Sequence, residues 1–355
     1  RALSNNFDPY KQMVSRLRAL EMNGHPIDKL EIIVIGGTFD YYQKDYQEFF
    51  IKEIFRAANE YGNHEKVKYE TLTDLQKFNE GANCRIIGLS TETRPDYINF
   101  ETLNWLRYLG VTKIEIGVQH LDNHVLDFNG RGMKREEIAR ATETLRAAGF
   151  KFVYHMMPNL PESNEAMDIK MFRDLYNTKD FHPDMLKIYP CVILKTTLLY
   201  KLYTQKKIDY EPYNDEKLIR VLAMCEREIK NYTRVIRMIR DIPATYILAS
   251  SKKSNMRELV DKYQKESGFI QQDIRSREIR DMEVDQKDFI LRDSIYETQH
   301  GSEHFIEYIN EKDNDKIAGF VRLRLQDDFF DEELFRFENL KSLSDKCALI
   351  RELHV

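Results

Sequence analysis

An apolar run, a polar tip and an amphipathic helix follow one another five times between residues 30 and 230, and this repetition leaves few possible folds. The first copy spans 30–35 and closes on Gly36, Gly37 and Thr38. Apolar β-branched runs of this length read as strands covered on both faces, the environment of a parallel sheet. Later copies fall at 84–90, 111–119, 150–157 and 185–190. Helical spacing at 45–61, 99–109, 134–148, 163–177 and 214–230 fills the intervals. A leading helix starts at Asp8 and Pro9, as cap and first helical residue, and stops at Gly24.

Such alternation builds βαβ units, closed as a barrel or left open and doubly wound. In either form ligands sit at the carboxyl ends of the strands. There the chain places GGT, STETRPD, EIGVQ, HMMPNLP and KIYP. Gly36 and Gly37 let a ligand approach the backbone, and Thr38 adds a hydroxyl. Alone, a glycine pair is equally a tight βα turn.

At 355 residues and 42% hydrophobic, the chain is long enough for two domains. It has no run of eighteen apolar residues and no signal-peptide pattern, so a cytosolic protein without membrane insertion is expected. A net charge of −5 does not mark a nucleic-acid binder, so any such role needs a local basic patch. Cys84, Cys191, Cys225 and Cys347 lie far apart and read as core residues, not as a disulfide framework or a metal knuckle.

From Arg234 the character changes. Arg234, Arg237 and Arg240 recur every third residue, followed by Lys252, Lys253, Arg257, Arg275, Arg277 and Arg280. On one face they would form a phosphate-binding stripe. Ion pairing with Asp241, Glu258, Asp273 and Glu278 accounts for them nearly as well. Short alternating strands are then expected at 289–292, 303–309, 316–325, 334–338 and 348–355, with a hairpin tip at 310–315. An antiparallel sheet of this kind needs cover on one face.

Taken in order, Phe7-Asp-Pro-Tyr10, Gly36-Gly37-Thr38, Glu92-Thr-Arg-Pro-Asp96, Glu115-Ile-Gly-Val-Gln119, Asn129-Gly-Arg-Gly132, His155-Met-Met-Pro158, Arg240-Asp-Ile-Pro243 and Arg351-Glu-Leu-His-Val355 form a specific set. The chain resembles, over nearly its whole length, the catalytic subunits of Elongator, radical S-adenosylmethionine proteins fused to a GNAT-type acetyltransferase domain. The resemblance implies an α/β protein. Its parts would be a partial TIM-like (β/α)6 radical SAM barrel over 1–230, a basic connecting region over 231–285 and the β-rich first half of a GNAT domain over 286–355.

The function implied is that of an acyltransferase placing a carboxymethyl-type group on C5 of the tRNA wobble uridine (U34). Acetyl-CoA, S-adenosylmethionine and a [4Fe-4S] cluster would serve it. By position, Gly36, Gly37, Thr38, Glu92, Arg94, Gln119 and His155 would meet S-adenosylmethionine. Lys29, Glu352, Leu353, His354 and Val355 would meet acetyl-CoA, although Lys29 also reads as a solvated linker residue. Arg234, Arg237, Arg240, Lys252, Arg275 and Arg277 would meet tRNA. The family's cluster cysteines would precede Arg1 and its glycine loop would follow Val355, so the chain is expected to be the retained part of a longer protein without metal ligands of its own. The segment 271–276 lacks the cysteines that help bind zinc in the family. Partners would be tRNA and either a second copy or Elongator-type accessory subunits. Alternatives are a non-catalytic tRNA-binding scaffold and a protein-lysine acetyltransferase.

Overall fold

The computed structural model describes residues 2–63, 71–240, 242, 244–249, 251, 253, 255–344 and 347–355. Its strands are β1 (Lys29–Ile33), β2 (Arg85–Thr93), β3 (Lys113–Gln119), β4 (Lys151–Met156), β5 (Met185–Ile188), β6 (Ile193–Leu194), β7 (Arg234–Met238), β8 (Ile247–Ala249), β9 (Ile290–Thr298), β10 (Gly301–Asn310), β11 (Lys316–Gln326) and β12 (Ala348–His354). Six of them make one sheet in the order β1-β2-β3-β4-β5-β7, every pair parallel. The sheet curls into a half-barrel of six parallel strands. β6 and β8 form a small antiparallel ribbon beside it.

Alternation along each strand decides which side chains enter the hollow. Ile114 and Ile116 are fully buried on the helix-covered face, so Glu115 faces the concave side, while a register shift after Ile116 sets Gln119 opposite Met156. On β4, Tyr154 bonds Thr142 of the helix Arg135–Ala147, which leaves Val153 and His155 on the concave side.

The first strand is not covered on both faces. β1 is the edge of the sheet, and Ile33 and Ile35 are 44% and 77% exposed. An apolar run has the same composition at an edge as at the centre. The arginine-rich segment is likewise not a connector from its start, because Arg234–Met238 is the sixth barrel strand. A register shift between Leu186 and Lys187 sets Arg234 opposite Met185 and Arg237 opposite Lys187. The extra residue of this bulge puts both arginines on the concave face despite their three-residue spacing.

β9 to β12 form an antiparallel sheet in the order β12-β11-β10-β9. The segment expected as a strand at 334–338 lies instead in and after a short helix, Asp331–Phe335. Its first turn carries Asp331, Glu332 and Glu333, which suit the positive end of a helix. The sheet rests on the strand-starting end of the half-barrel: Arg351 donates to the Phe150 carbonyl at 3.0 Å, just ahead of β4. Ion pairs fill this seam. Arg351 reaches Asp184 at 2.6 Å and Glu303 at 2.9 Å, Arg322 reaches Glu352 at 2.9 Å, and Arg324 bonds Glu143. Tyr232 stacks on Tyr296 with ring centres 4.0 Å apart. The sheet therefore finds its cover on the barrel.

Cys84, Cys191 and Cys225 are buried, whereas Cys347 is only half-buried, after the connector between β11 and β12. Among the described residues no helix is long and apolar enough to cross a membrane.

Candidate functional site

At the carboxyl ends of the strands the concave face carries a linked set of ionisable side chains. His155 Nε2 lies 2.7 Å from Glu115 Oε2, and its Nδ1 lies 3.6 Å from Glu92. The Lys187 ammonium donates to the same Glu115 oxygen. The Tyr189 ring stands 5.6 Å from the His155 ring, and its hydroxyl pairs with Arg237. Burial drives the Glu115 carboxyl up, but the hydrogen bonds from His155 and Lys187 and the lysine's charge hold it below the ordinary carboxylate range.

Two oxygens in this wall lack partners. Glu115 Oε1 and Ser90 Oγ are buried with no hydrogen-bond partner among the described residues, a polar capacity that a bound ligand or an ordered water would take up. Beside them Gly36 and Gly37 adopt φ of 153° and 98°, and a Cβ at either would meet nothing within 4 Å. Backbone conformation, not crowding, requires glycine there, and the amides stay approachable. A polar nucleoside-bearing ligand fits these groups. Gln119, at φ 64°, closes the rim, its carbonyl held by the Met157 amide at 2.8 Å.

Glu92 and His155 thus share one wall with Glu115, whereas Gln119 lies past the register shift opposite Met156, and Arg94 is committed elsewhere. Its guanidinium forms a fork with Asp96, both bonds 2.8 Å, and donates to the Arg131 carbonyl. Glu115, Lys187 and Tyr189 were missed as site residues. Part of their signal was present: Lys187 and Tyr189 sit at even spacing and so share a face, and Glu115 lies within the EIGVQ tip.

Asp40 lies near the rim, with both carboxylate oxygens on the Thr93 hydroxyl at 2.7 and 2.8 Å. Burial pushes its carboxyl up to about 6, against the pull of that hydrogen bond. A raised folded-state value favours the protonated form, so the stability it brings is full below about pH 4 and is lost as pH rises through 6. Asp40→Asn should therefore melt higher than the parent at pH 7.5, by about 2–3 kcal/mol of stability, with the gap closing near pH 4. Melting curves at the two pH values check this, and an equal gap at both would contradict it.

The residues expected on tRNA separate into two groups. Arg277 is buried, bonded to Glu307 at 2.7 Å, and is out of reach of any RNA. It is a structural ion pair because β10 brings Glu307 to it. Arg234 pairs with Glu278. Arg237 and Arg240 are exposed. Arg275 donates to the Ile236 carbonyl, and burial and then the neighbouring Arg257, Arg234 and Arg280 lower its basicity. Four guanidinium groups therefore crowd one place. Lys252 lies outside the described residues.

The residues expected on acetyl-CoA lie toward the opposite, strand-starting end, with no hydrogen bond or ion pair between Lys29 and β12 among the described residues. Lys29 opens β1 beside Arg85. β12 is an edge strand, so one side of its backbone carries no partner strand among the described residues. Leu353 is 68% exposed, His354 stacks on Phe320 at 5.3 Å, and Glu352 is held by Arg322 and, at 3.5 Å, by Lys151.

Residues 8–175 match the radical SAM superfamily, and residues 183–266 match the Radical_SAM C-terminal domain. The solved structure of the archaeal Methanocaldococcus infernus Elp3 with an N-terminal deletion (1–46) superposes with a TM-score of 0.91 at 38% identity, over 100% of this chain and 80% of that one. The chain belongs to the Elp3 family. It is 39% identical to the tRNA uridine(34) acetyltransferase of Methanocaldococcus infernus and 34% identical to Elongator complex protein 3 of Bos taurus, in each case over its whole length. It spans 64% and 62% of the length of these Elp3 relatives.

A radical SAM protein implies S-adenosylmethionine and a [4Fe-4S] cluster. The orphaned Glu115 and Ser90 oxygens and the open glycine amides fit the former. The cysteines do not fit the latter: three are buried apart, and no group of three or more His, Cys, Asp or Glu among the described residues is placed to hold a metal.

Proposed function

We propose that this chain carries the S-adenosylmethionine wall and an acetyl-CoA face of a cytosolic enzyme that places a carboxymethyl-type group on C5 of the tRNA wobble uridine (U34). One observation supports it most. Lys151, on Glu352, and His155, on Glu92 and Glu115, stand on the same face of β4 four residues apart. At 3.3 Å per residue that is roughly 13 Å, so the two ends of the hollow address one substrate region. The names of the 39% and 34% identical relatives support the substrate class.

On this reading S-adenosylmethionine, when bound, supplies the adenosyl group from which the family's radical chemistry starts. The protein's own part is binding and positioning. Glu115 Oε1 and Ser90 Oγ accept hydrogens from the ligand's amino and hydroxyl groups. Lys187 and His155 keep Glu115 ionised and aimed. The free edge of β12 pairs with the pantetheine amides, while Lys29 neutralises anionic charge. Arg237, Arg240 and the group around Arg275 take RNA phosphates.

The test is acetyl-CoA hydrolysis by the full-length protein with and without tRNA. Stimulation by tRNA is expected, falling at least about tenfold in Lys29→Ala, a loss of about 1.4 kcal/mol of transition-state stabilisation. A parent enzyme indifferent to tRNA, or faster on lysine peptides, would reject the reading. The crowded arginines favour one second reading, a tRNA-binding scaffold. Its mark is salt-dependent tRNA affinity that weakens in Arg237→Ala and Arg240→Ala with no acetyl-CoA turnover at all.

A further inference from the structure

The largest buried arginines, Arg146, Arg277, Arg322, Arg324 and Arg351, all meet carboxylates. Arg107 is different. It lies in the helix Phe100–Tyr108, half-buried, and no carboxylate among the described residues comes within ion-pairing distance. Its Nη2 donates to the Ala148 carbonyl at 2.7 Å, and its plane sits 4.0 Å over the Phe150 ring. Burial alone pushes its pKa down to about 10, with no attracting charge to oppose it. A guanidinium withdrawn from water without a counter-charge is costly, so its setting calls for an anion.

The Ala148 bond uses one of the two Nη2 hydrogens, so the other can still form a two-point fork together with Nε or Nη1. Arg107 lines the adjoining cavity. That cavity has a volume of about 440 Å³ and lies between the half-barrel and β12. Lys151 and Thr112 contribute polar groups, and Ile87, Leu349 and Leu353 contribute apolar walls. The positive charge of Lys151 is only partly answered, because its partner Glu352, 3.5 Å away, is held more closely by Arg322 at 2.9 Å. Gly149 keeps the space open: at φ +71°, a Cβ there would press on Leu349 at 2.9 Å and approach Nη2 of Arg107 at 3.6 Å.

We infer that this cavity is a binding site for a small organic oxyanion, a carboxylate or a phosphate ester, clamped by the Arg107 fork with Lys151 beside it. An Arg fork matches the paired oxygens of both groups. The apolar walls and the volume favour an anion attached to carbon over a bare inorganic ion. Glu352 and Leu353 also line the cavity, so its phosphate-ester form rests on the acetyl-CoA reading, whereas its carboxylate form, tested by acetate, does not.

The experiment titrates the purified full-length protein with acetate, inorganic phosphate and 3′,5′-ADP at constant ionic strength, without tRNA or acetyl-CoA, following the melting temperature. At least one probe is expected to raise the parent's melting temperature in a saturable way, acetate marking a carboxylate site and 3′,5′-ADP a phosphate-ester site. In Arg107→Gln the affinity should fall at least tenfold, while Arg107→Lys keeps part of it. Without added anion, Arg107→Gln should melt close to the parent, since the lost Ala148 hydrogen bond is offset by removal of an unanswered charge. Lys151→Gln gives a second variant with the Arg107 anchors intact and should weaken the same probe. No saturable shift in the parent, or the same shift in parent and Arg107→Gln, overturns the assignment.

Discussion

Arg351→Ala is expected to cost about 3–5 kcal/mol, the scale for removing one partner of a buried ion pair. Arg351 bridges Asp184 at 2.6 Å and Glu303 at 2.9 Å, with all three side chains at most 1% exposed. Its loss leaves two carboxylates in the seam without water and with only more distant cations, among them Arg322 at 3.7 Å from Asp184 and Arg324 at 3.5 Å from Glu303. Burial presses the Asp184 carboxyl upward, yet Arg351 and Arg322 hold it down at about 2. A depressed value stabilises the fold above the unfolded carboxyl's range, near 3.8, and that stability is lost as pH falls from about 4 through 2. In Arg351→Ala acid unfolding should begin at higher pH. Guanidinium unfolding curves measure the loss. A change below about 1 kcal/mol would mean that the seam is held by its apolar and aromatic contacts instead.

Glu115→Gln should weaken S-adenosylmethionine binding at least about tenfold, near 1.4 kcal/mol. The amide keeps the shape but removes the charge that answers Lys187, which is 9% exposed, and that orients His155 at 2.7 Å. It also alters the free Oε1 acceptor. Lys187 is then buried without a full partner, so the protein should also lose stability in the absence of ligand. Arg94→Ala is the informative contrast. Its fork is occupied by Asp96, so its effect on S-adenosylmethionine affinity should stay under about threefold. Equilibrium binding on the full-length protein separates the two. The opposite ranking would return Arg94 to the ligand and remove Glu115 from it.

Much of the barrel was legible because its signals are local. Strand period, helix period, the glycine pair and the Asp8 cap each need only a few neighbouring residues, and the five expected strands all lie in the parallel sheet. The errors arose where neighbours do not decide. Residues 334–338 alternate like a strand, yet the acidic turn before them starts a helix and no strand lies there to pair with them. Arg234 to Met238 looked like a basic stripe because its charges mask a strand whose bulge appears only against β5. Gln119 and His155 stood out by motif, while Glu115 and Lys187 needed the face rule as well.

By itself the sequence determined the alternating elements, the polar strand tips and hence the end of the half-barrel at which ligands meet them. It could not decide what each charge does. Arg277 and Arg240 have the same side chain, but β10 buries one against Glu307 and leaves the other in solvent. Asp184 and Arg351 meet across 167 residues of chain. Whether a charge binds a ligand, a partner or water depends on how much water is removed from around it, and that depends on packing between distant segments.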